Sequence, residues 1–262
     1  ADDGTIWVSG SNRISRFRDG QWFSYPRFEI DRQLGGATRG VSVSGGTTWL
    51  WSGGQPAVAR FKDDRDVVYF SHPDSLWVGP VGPDGSVWFR TSSGAVRLLD
   101  GVWLRYTVED GFLDGTVEDR FLANGARSLA RSRDGSIWAV GTHRGLGAAA
   151  RFHRGQWKVF TEEDGVIDTP SRMLSMRDGS LWAMGAHDGV SAVSLFNGTS
   201  WQRFASEHGF SGAGGVTIAY EASDGTVWFG AHVDGMRGTG LHRFDPSAPA
   251  GQGWTRFTEA DS

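Results

Sequence analysis

One five-residue string recurs along this 262-residue chain and narrows the folds open to it: Asp-Gly, a small hydroxyl residue, an aliphatic residue, then Trp. The copies are Asp3-Gly4-Thr5-Ile6-Trp7, Asp84-Gly85-Ser86-Val87-Trp88, Asp134-Gly135-Ser136-Ile137-Trp138, Asp178-Gly179-Ser180-Leu181-Trp182 and Asp224-Gly225-Thr226-Val227-Trp228. A degenerate copy is Gly45-Gly46-Thr47-Thr48-Trp49. Successive Trp residues lie 42, 39, 50, 44 and 46 positions apart. That interval suits a four-stranded propeller blade of about 40–50 residues. A helical repeat would bring apolar residues back every three or four positions, and none do so here.

Turn chemistry and alternation draw the blade. Asp-Gly between two apolar runs is a hairpin signal, because a primed turn needs the positive φ that Gly supplies. The run before it is an inner strand, such as Val41-Ser42-Val43, Leu174-Ser175-Met176 or Ile218-Ala219-Tyr220. In the second strand both faces are apolar, as in Val227-Trp228-Phe229, which predicts a sheet packed on both sides. A third strand ends in Arg16-Phe17, Arg60-Phe61, Arg97-Leu98, Arg151-Phe152, Leu195-Phe196 or Arg243-Phe244. The fourth carries Trp and, three residues on, an aromatic: Trp22 with Tyr25, Trp103 with Tyr106, Trp157 with Phe160, Trp201 with Phe204, Trp254 with Phe257. Blade two has Asp66 at that Trp position.

The expectation is an all-β propeller of six four-stranded antiparallel blades in a single domain, with a seven-bladed ring as the alternative. The repeats fall at about 1–26, 39–70, 78–106, 127–160, 172–204 and 216–262. Only five inner strands are countable, so the inner strand of blade one is expected outside this chain, which begins without Met and reads as part of a longer protein.

Composition removes several function classes. With 26 Lys and Arg against 30 Asp and Glu the net charge is −4, which argues against a nucleic-acid surface. Cys is absent, so disulfides, thiolate metal sites and a thiol nucleophile are excluded together. No run of about 18 apolar residues is present, so no direct membrane insertion is expected. The 39 Gly and 13 Trp fit many tight turns and many aromatic wedges. No Gly-x-Ser-x-Gly elbow, His-Glu-x-x-His or phosphate-cradling Gly loop occurs.

The clearest repeat runs from Asp134 through Trp138, Gly141-Thr142, Arg151-Phe152, Trp157 and Phe160-Thr161 to Asp164-Gly165-Val166. It resembles the two-component regulator propeller repeat, and the resemblance covers essentially the whole chain. It implies the extracytoplasmic input domain of a signalling protein, periplasmic or extracellular, non-enzymatic, and responsive to a small solute or oligosaccharide. Other domains of the same sensor protein are the further partners it implies. Asp3 to Pro26 is also similar to a blade of the virginiamycin B lyase family, which implies a metal-dependent enzyme as the alternative. That family's Pro-x-Gly-Ile before the turn is missing here. A protein-interaction scaffold is the third reading.

Binding is expected on the face carrying the second-to-third connections and the blade-to-blade connections, since loops that vary on a rigid scaffold carry function. There, Gly141-Thr142-His143, Gly185-Ala186-His187 and Gly230-Ala231-His232 put His at one structural position in three blades, and Asn12 holds the matching slot in blade one. Arg144, Asp188, Asp234 and Arg237 stand beside them. Such a set suits a polyol, an acidic sugar or a divalent ion, although equivalent positions in neighbouring blades sit too far apart for ligand bonds of about 2 Å. Trp51 and Arg90 end strands on the same face and suit sugar or peptide contacts. The ligand-binding candidates are therefore Asn12, Trp51, Arg90, His143, Arg144, His187, Asp188, His232, Asp234 and Arg237, with no catalytic residue, no metal ligand and no cofactor assigned.

Overall fold

The computed structural model describes residues 5–44, 47–61, 67–91, 94–114, 126–212, 214–231, 240–249 and 251–257. Two compact units are present, Ala1–Arg105 and Tyr106–Ser262. Strands dominate both.

The first unit opens with β1 (Ile6–Ser9), β2 (Arg13–Arg18) and β3 (Gln21–Pro26), an antiparallel three-stranded sheet. A helix, α1 (Arg27–Leu34), follows. Then come β4 (Gly40–Ser44), β5 (Thr47–Trp51), β6 (Gln55–Phe61), β7 (Val67–Val81), β8 (Val87–Thr91), β9 (Gly94–Leu99) and β10 (Val102–Tyr106), joined in chain order in one seven-stranded sheet. The reason is β7, which is 15 residues long. Its first part pairs with β6 and its last part, from Trp77 to Val81, with β8. The sequence reading separates the fourth strand of blade two from the first strand of blade three; the backbone runs them together.

The helix is a second departure from the sequence reading. Pro26 precedes it and Gly35, at φ 77°, ends it, the usual arrangement of helix start and stop signals. Ile30 and Leu34, four apart, bury one face against Ile14, Tyr25, Leu50 and Ala57. The Asp31 carboxylate then pins the exit by accepting from the Thr38 amide (2.7 Å) and hydroxyl (2.6 Å).

The second unit holds three four-stranded antiparallel sheets, each in chain order. They are β11 (Ala126–Arg131), β12 (Ile137–His143), β13 (Leu146–His153) and β14 (Gln156–Thr161); β15 (Thr169–Ser175), β16 (Leu181–His187), β17 (Val190–Phe196) and β18 (Trp201–Phe204); and β19 (Val216–Glu221), β20 (Val227–Ala231), β21 (Leu241–Phe244) and β22 (Trp254–Phe257). Consecutive sheets pack face to face. Trp138, Val140, Ala149 and Phe160 of one meet Leu181, Ala183, Phe196 and Trp201 of the next. Trp182, Met184, Val193 and Phe204 then meet Val216, Val227 and Phe229. Each large side chain so buried stabilises by about 1.5–3 kcal/mol, so these interlayers dominate the apolar energy.

The recurring string is a structural device. Among the described residues, the string's Asp carboxylate accepts from the amide and hydroxyl two residues on: Asp84 from Ser86, Asp134 from Ser136, Asp178 from Ser180 and Asp224 from Thr226. This explains the small hydroxyl residue. Across the hairpin, the Arg near the end of the third strand pairs with the Trp: Arg16 with Trp7, Arg60 with Trp49, Arg97 with Trp88 and Arg151 with Trp138. Their guanidinium carbons sit 5.5–5.8 Å from the ring centroids, within cation–π range. Arg97 and Arg151 reach on to the turn carboxylates of Asp84 and Asp134. Burial pushes the Asp134 carboxyl up, but hydrogen bonds from Ser132, Ser136 and Arg151 outweigh it and hold the group well below the usual carboxylate range.

The Asp-Gly turns correct one expectation. In Asp84-Gly85, Asp134-Gly135, Asp178-Gly179 and Asp224-Gly225 only Gly has positive φ, so these are not primed two-residue turns. The primed pattern, positive at both residues, appears at Asp19-Gly20, Asp100-Gly101 and Arg154-Gly155 between third and fourth strands. Among the described residues no helix is long and apolar enough to cross a membrane.

Candidate functional site

In the second unit, β12 and β16 end in His143 and His187, each followed by a two-residue turn, Arg144-Gly145 and Asp188-Gly189. Arg144 (φ 52°) and Asp188 (φ 51°) are held in the left-handed region. These second-to-third connections are short, where the sequence reading expects variable loops. The variety is in their side chains.

A carboxylate from the preceding connection fixes each turn. The Arg144 amide donates to Asp114 Oδ1 at 2.8 Å, and the Asp188 amide to Asp168 Oδ2 at 2.8 Å. The same two carboxylates face the imidazoles: Asp114 Oδ2 lies 3.8 Å from His143 Nδ1, and Asp168 Oδ2 lies 3.6 Å from His187 Nδ1. Both Asp residues are placed by a short 3-10 turn and two buried apolar residues. Val108–Asp110 leads to Phe112 and Leu113, and Glu162–Asp164 leads to Val166 and Ile167. Asp110 and Asp164 accept from the Thr107 and Thr161 amides at 2.8 Å, so these two acids are turn formers.

A cavity of about 570 Å³ opens here, lined by His143, Arg144, Leu146, Val159, Thr161, Glu162, Glu163 and Arg203. Glu162 ties it to the second histidine: its Oε1 is 3.5 Å from Arg203 Nη1 and 3.8 Å from His187 Nε2. His143 Nδ1 is buried without a hydrogen bond among the described residues. The cavity therefore offers two guanidinium groups, two carboxylates, an imidazole and the apolar side chains of Leu146 and Val159. Such a surface can hydrogen-bond hydroxyls and pair an acidic group.

The structure thus gathers His143 and Arg144 at one cavity, with His187 and Asp188 adjoining through Glu162. The other candidates have other partners. Asn12 is exposed in the β1–β2 turn, and its carbonyl accepts from the Arg27 amide. The Trp51 ring covers Gly40, where a Cβ would come within 2.2 Å of it, and packs on the core of its own sheet. Arg90 lies over Trp77, 4.5 Å from the ring centroid. His232, Asp234 and Arg237 lie outside the described residues.

Sequence reasoning missed Asp114, Asp168, Glu162 and Arg203. The signal for the two Asp residues was present: Glu109-Asp110-Gly111-Phe112-Leu113-Asp114 and Glu163-Asp164-Gly165-Val166-Ile167-Asp168 share one pattern, Glu-Asp-Gly, two apolar residues, then Asp. A larger cavity, about 630 Å³, lies at the opposite end of these sheets beside the Asp-Gly turns. Its acids are already committed, Asp134 and Asp178 to their own turns and Glu221 to the Arg177 amide.

No protein-family model matches the chain, and no curated protein matches it in sequence. Solved structures share its architecture. Virginiamycin B lyase from Staphylococcus aureus aligns at a TM-score of 0.62, covering 98% of this chain and 82% of that one at 15% identity. The extracellular domain of BT4673, a putative hybrid two-component system of B. thetaiotaomicron, aligns at 0.55 over 94% of this chain and 35% of that one at 14% identity. YCF48 from Cyanidioschyzon merolae aligns at 0.58 over 96% and 80% at 18% identity. The chain has a β-propeller fold. Both families that the repeat resembles are among these neighbours, and at such identities the likeness is one of fold.

Proposed function

We propose that this chain is a six-bladed, non-enzymatic sensing or binding propeller, the extracytoplasmic input domain of a signalling protein, and that it takes a small solute or glycan at the His143–Arg203 cavity. The blade count follows from treating β7 as two strands, which turns the seven-stranded sheet into two blades. The observation that carries the ligand reading is the cavity itself. Its volume, about 570 Å³, falls in the range of small-ligand sites, and its wall mixes opposed charges with Leu146 and Val159. The fold likeness to the extracellular domain of a two-component system supports the signalling context.

The test is a thermal-shift panel of polyols, neutral oligosaccharides and acidic oligosaccharides. The expected result is a shift with hydroxyl-rich or acidic members that disappears in Arg203→Ala and in Arg144→Asn, the latter chosen because Asn tolerates the left-handed turn. No shift across the panel, or a shift indifferent to both substitutions, overturns the reading. The likeness to virginiamycin B lyase carries a second reading, a divalent-cation-dependent lyase. It requires turnover that is lost in His143→Ala, His187→Ala or His232→Ala.

A further inference from the structure

We propose that Arg127, Ser128, Ser171, Arg172 and Met173 form a site for a tetrahedral oxyanion, a phosphate or sulfate, free or carried as an ester. These residues line a cavity of about 470 Å³ in the second unit, where β11 and β15 lie side by side. None of them borders the His143–Arg203 cavity, and the inference does not rest on the reading given to that cavity.

Three observations carry it. The first is how the cavity is built. The pairing of β11 with β12 slips between Ala126 and Ser128, and that of β15 with β16 slips between Pro170 and Arg172. Arg127 and Ser171 are therefore the extra residues of two β-bulges at the same place in neighbouring sheets. A regular strand sends consecutive side chains to opposite faces, whereas a bulge sets two residues against one partner. That irregularity lets Arg127 with Ser128, and Ser171 with Arg172, border a single cavity.

The second is the donor set. Arg172 is exposed, and among the described residues no hydrogen bond, ion pair or ring contact engages its guanidinium. Arg127 has an interaction of its own, but the several N–H groups of a guanidinium serve more than one partner. Ser171 Oγ donates to the Met184 carbonyl at 3.2 Å, which leaves the Ser128 hydroxyl as the open one. Among the described residues no carboxylate lines this cavity, whereas Glu162 and Glu163 line the other. Two guanidinium forks and a hydroxyl match a doubly charged group with several acceptor oxygens. Met173 adds an apolar contact for whatever the oxyanion is attached to.

The third is the contrast within the repeat. The pairing of β19 with β20 slips at the same place, between Val216 and Ile218, and there the two residues are Thr217 and Ile218. The bulge itself thus requires no charge. Duplication of the repeat does not account for the two Arg residues either, since Arg127 holds the first bulge position in β11 and Arg172 the second in β15.

Phosphorus magnetic resonance and calorimetry at fixed ionic strength, with inorganic phosphate, inorganic sulfate and methyl phosphate as probes, test this. One phosphate bound per chain at millimolar concentration is expected, with sulfate competing for it. Arg172→Gln and Arg127→Gln should each weaken binding at least tenfold. Arg172→Lys, which keeps the charge and loses the fork, should fall between. Because Arg172 is exposed, its variants keep the fold and carry the test if Arg127→Gln does not. Tighter binding of methyl phosphate than of inorganic phosphate marks an ester as the ligand, the reverse order marks the free ion, and either upholds the site. No binding at tens of millimolar overturns the proposal, as does affinity unchanged in Arg172→Gln. Binding lost in Arg144→Asn but kept in Arg172→Gln puts the ion in the His143–Arg203 cavity, which overturns this proposal and leaves the solute reading standing.

Discussion

Replacing Trp138 with Ala removes the side chain on which two sheets of the second unit meet. Trp138 is 1% exposed. Its ring stacks on Phe160 at 5.7 Å and meets Phe196 at 4.8 Å and Trp201 at 5.7 Å. The indole Nε1 donates to Ser132 Oγ at 3.1 Å. A buried Trp takes roughly 200 Å² out of water, about 5 kcal/mol at about 25 cal/mol per Å². Rotamer freedom regained on unfolding takes back about 1 kcal/mol, while the lost indole hydrogen bond adds about 1 kcal/mol. The expected loss is about 3–5 kcal/mol, in the range measured for aromatic-to-Ala changes in cores. Urea unfolding followed by far-UV circular dichroism reads it as a lower midpoint at unchanged slope. Trp22, a repeat Trp left 59% exposed, is the internal comparison. Trp22→Ala should cost less than about 1 kcal/mol. A Trp138→Ala loss no larger than that of Trp22→Ala would refute the face-to-face packing argument.

Two further outcomes are expected. Gly185→Ala should destabilise by about 1–3 kcal/mol in the same urea experiment, because a Cβ there falls 2.0 Å from the Thr169 carbonyl oxygen and the backbone must move. A pH effect follows from His242, which is buried with Nε2 on the Gly209 carbonyl at 3.0 Å and its ring stacked 4.3 Å from Phe210. Burial and the charge of Arg256 lower its pKa from 6.5, against the raising effect of that hydrogen bond, so the folded state keeps it neutral. The His242 contribution is complete above pH 6.5 and falls away as pH drops through the lowered folded value, since the unfolded chain takes the proton first. Stability measured at stepped pH should therefore fall below 6.5, and His242→Gln should flatten that part of the curve.

The architecture was legible because each repeat writes its own hairpin. Asp134-Gly135-Ser136 forms the turn, Trp138 fills the interlayer, and Arg151 comes back across the strand to cover it. The function of that Arg emerged only with the register, which puts Arg151 opposite Trp138. Where punctuation misleads, legibility fails. Pro73-Asp74-Ser75 and Gly79-Pro80 read as breaks within Val67–Val81, yet the strand runs through both, with register shifts in its pairing to β6 and β8. The α1 helix is only eight residues, too short for its Ile30–Leu34 spacing to stand out in the sequence. The site was half legible. Position in the repeat found His143 and His187, but Asp114, Asp168 and Arg203 reach them from other strands and connections, and such meetings depend on tertiary placement.

The central claim is a division of labour: the Asp-Gly ends of the sheets are committed to structure, and the opposite ends bind. Amide hydrogen exchange, with and without the strongest binder from the glycan panel, measures this directly. Protection confined to residues 143–146, 161–163 and 187–189 and around Arg203 is the predicted result. Protection at the turns 133–136 and 178–180 instead would put the ligand in the larger cavity and contradict the account.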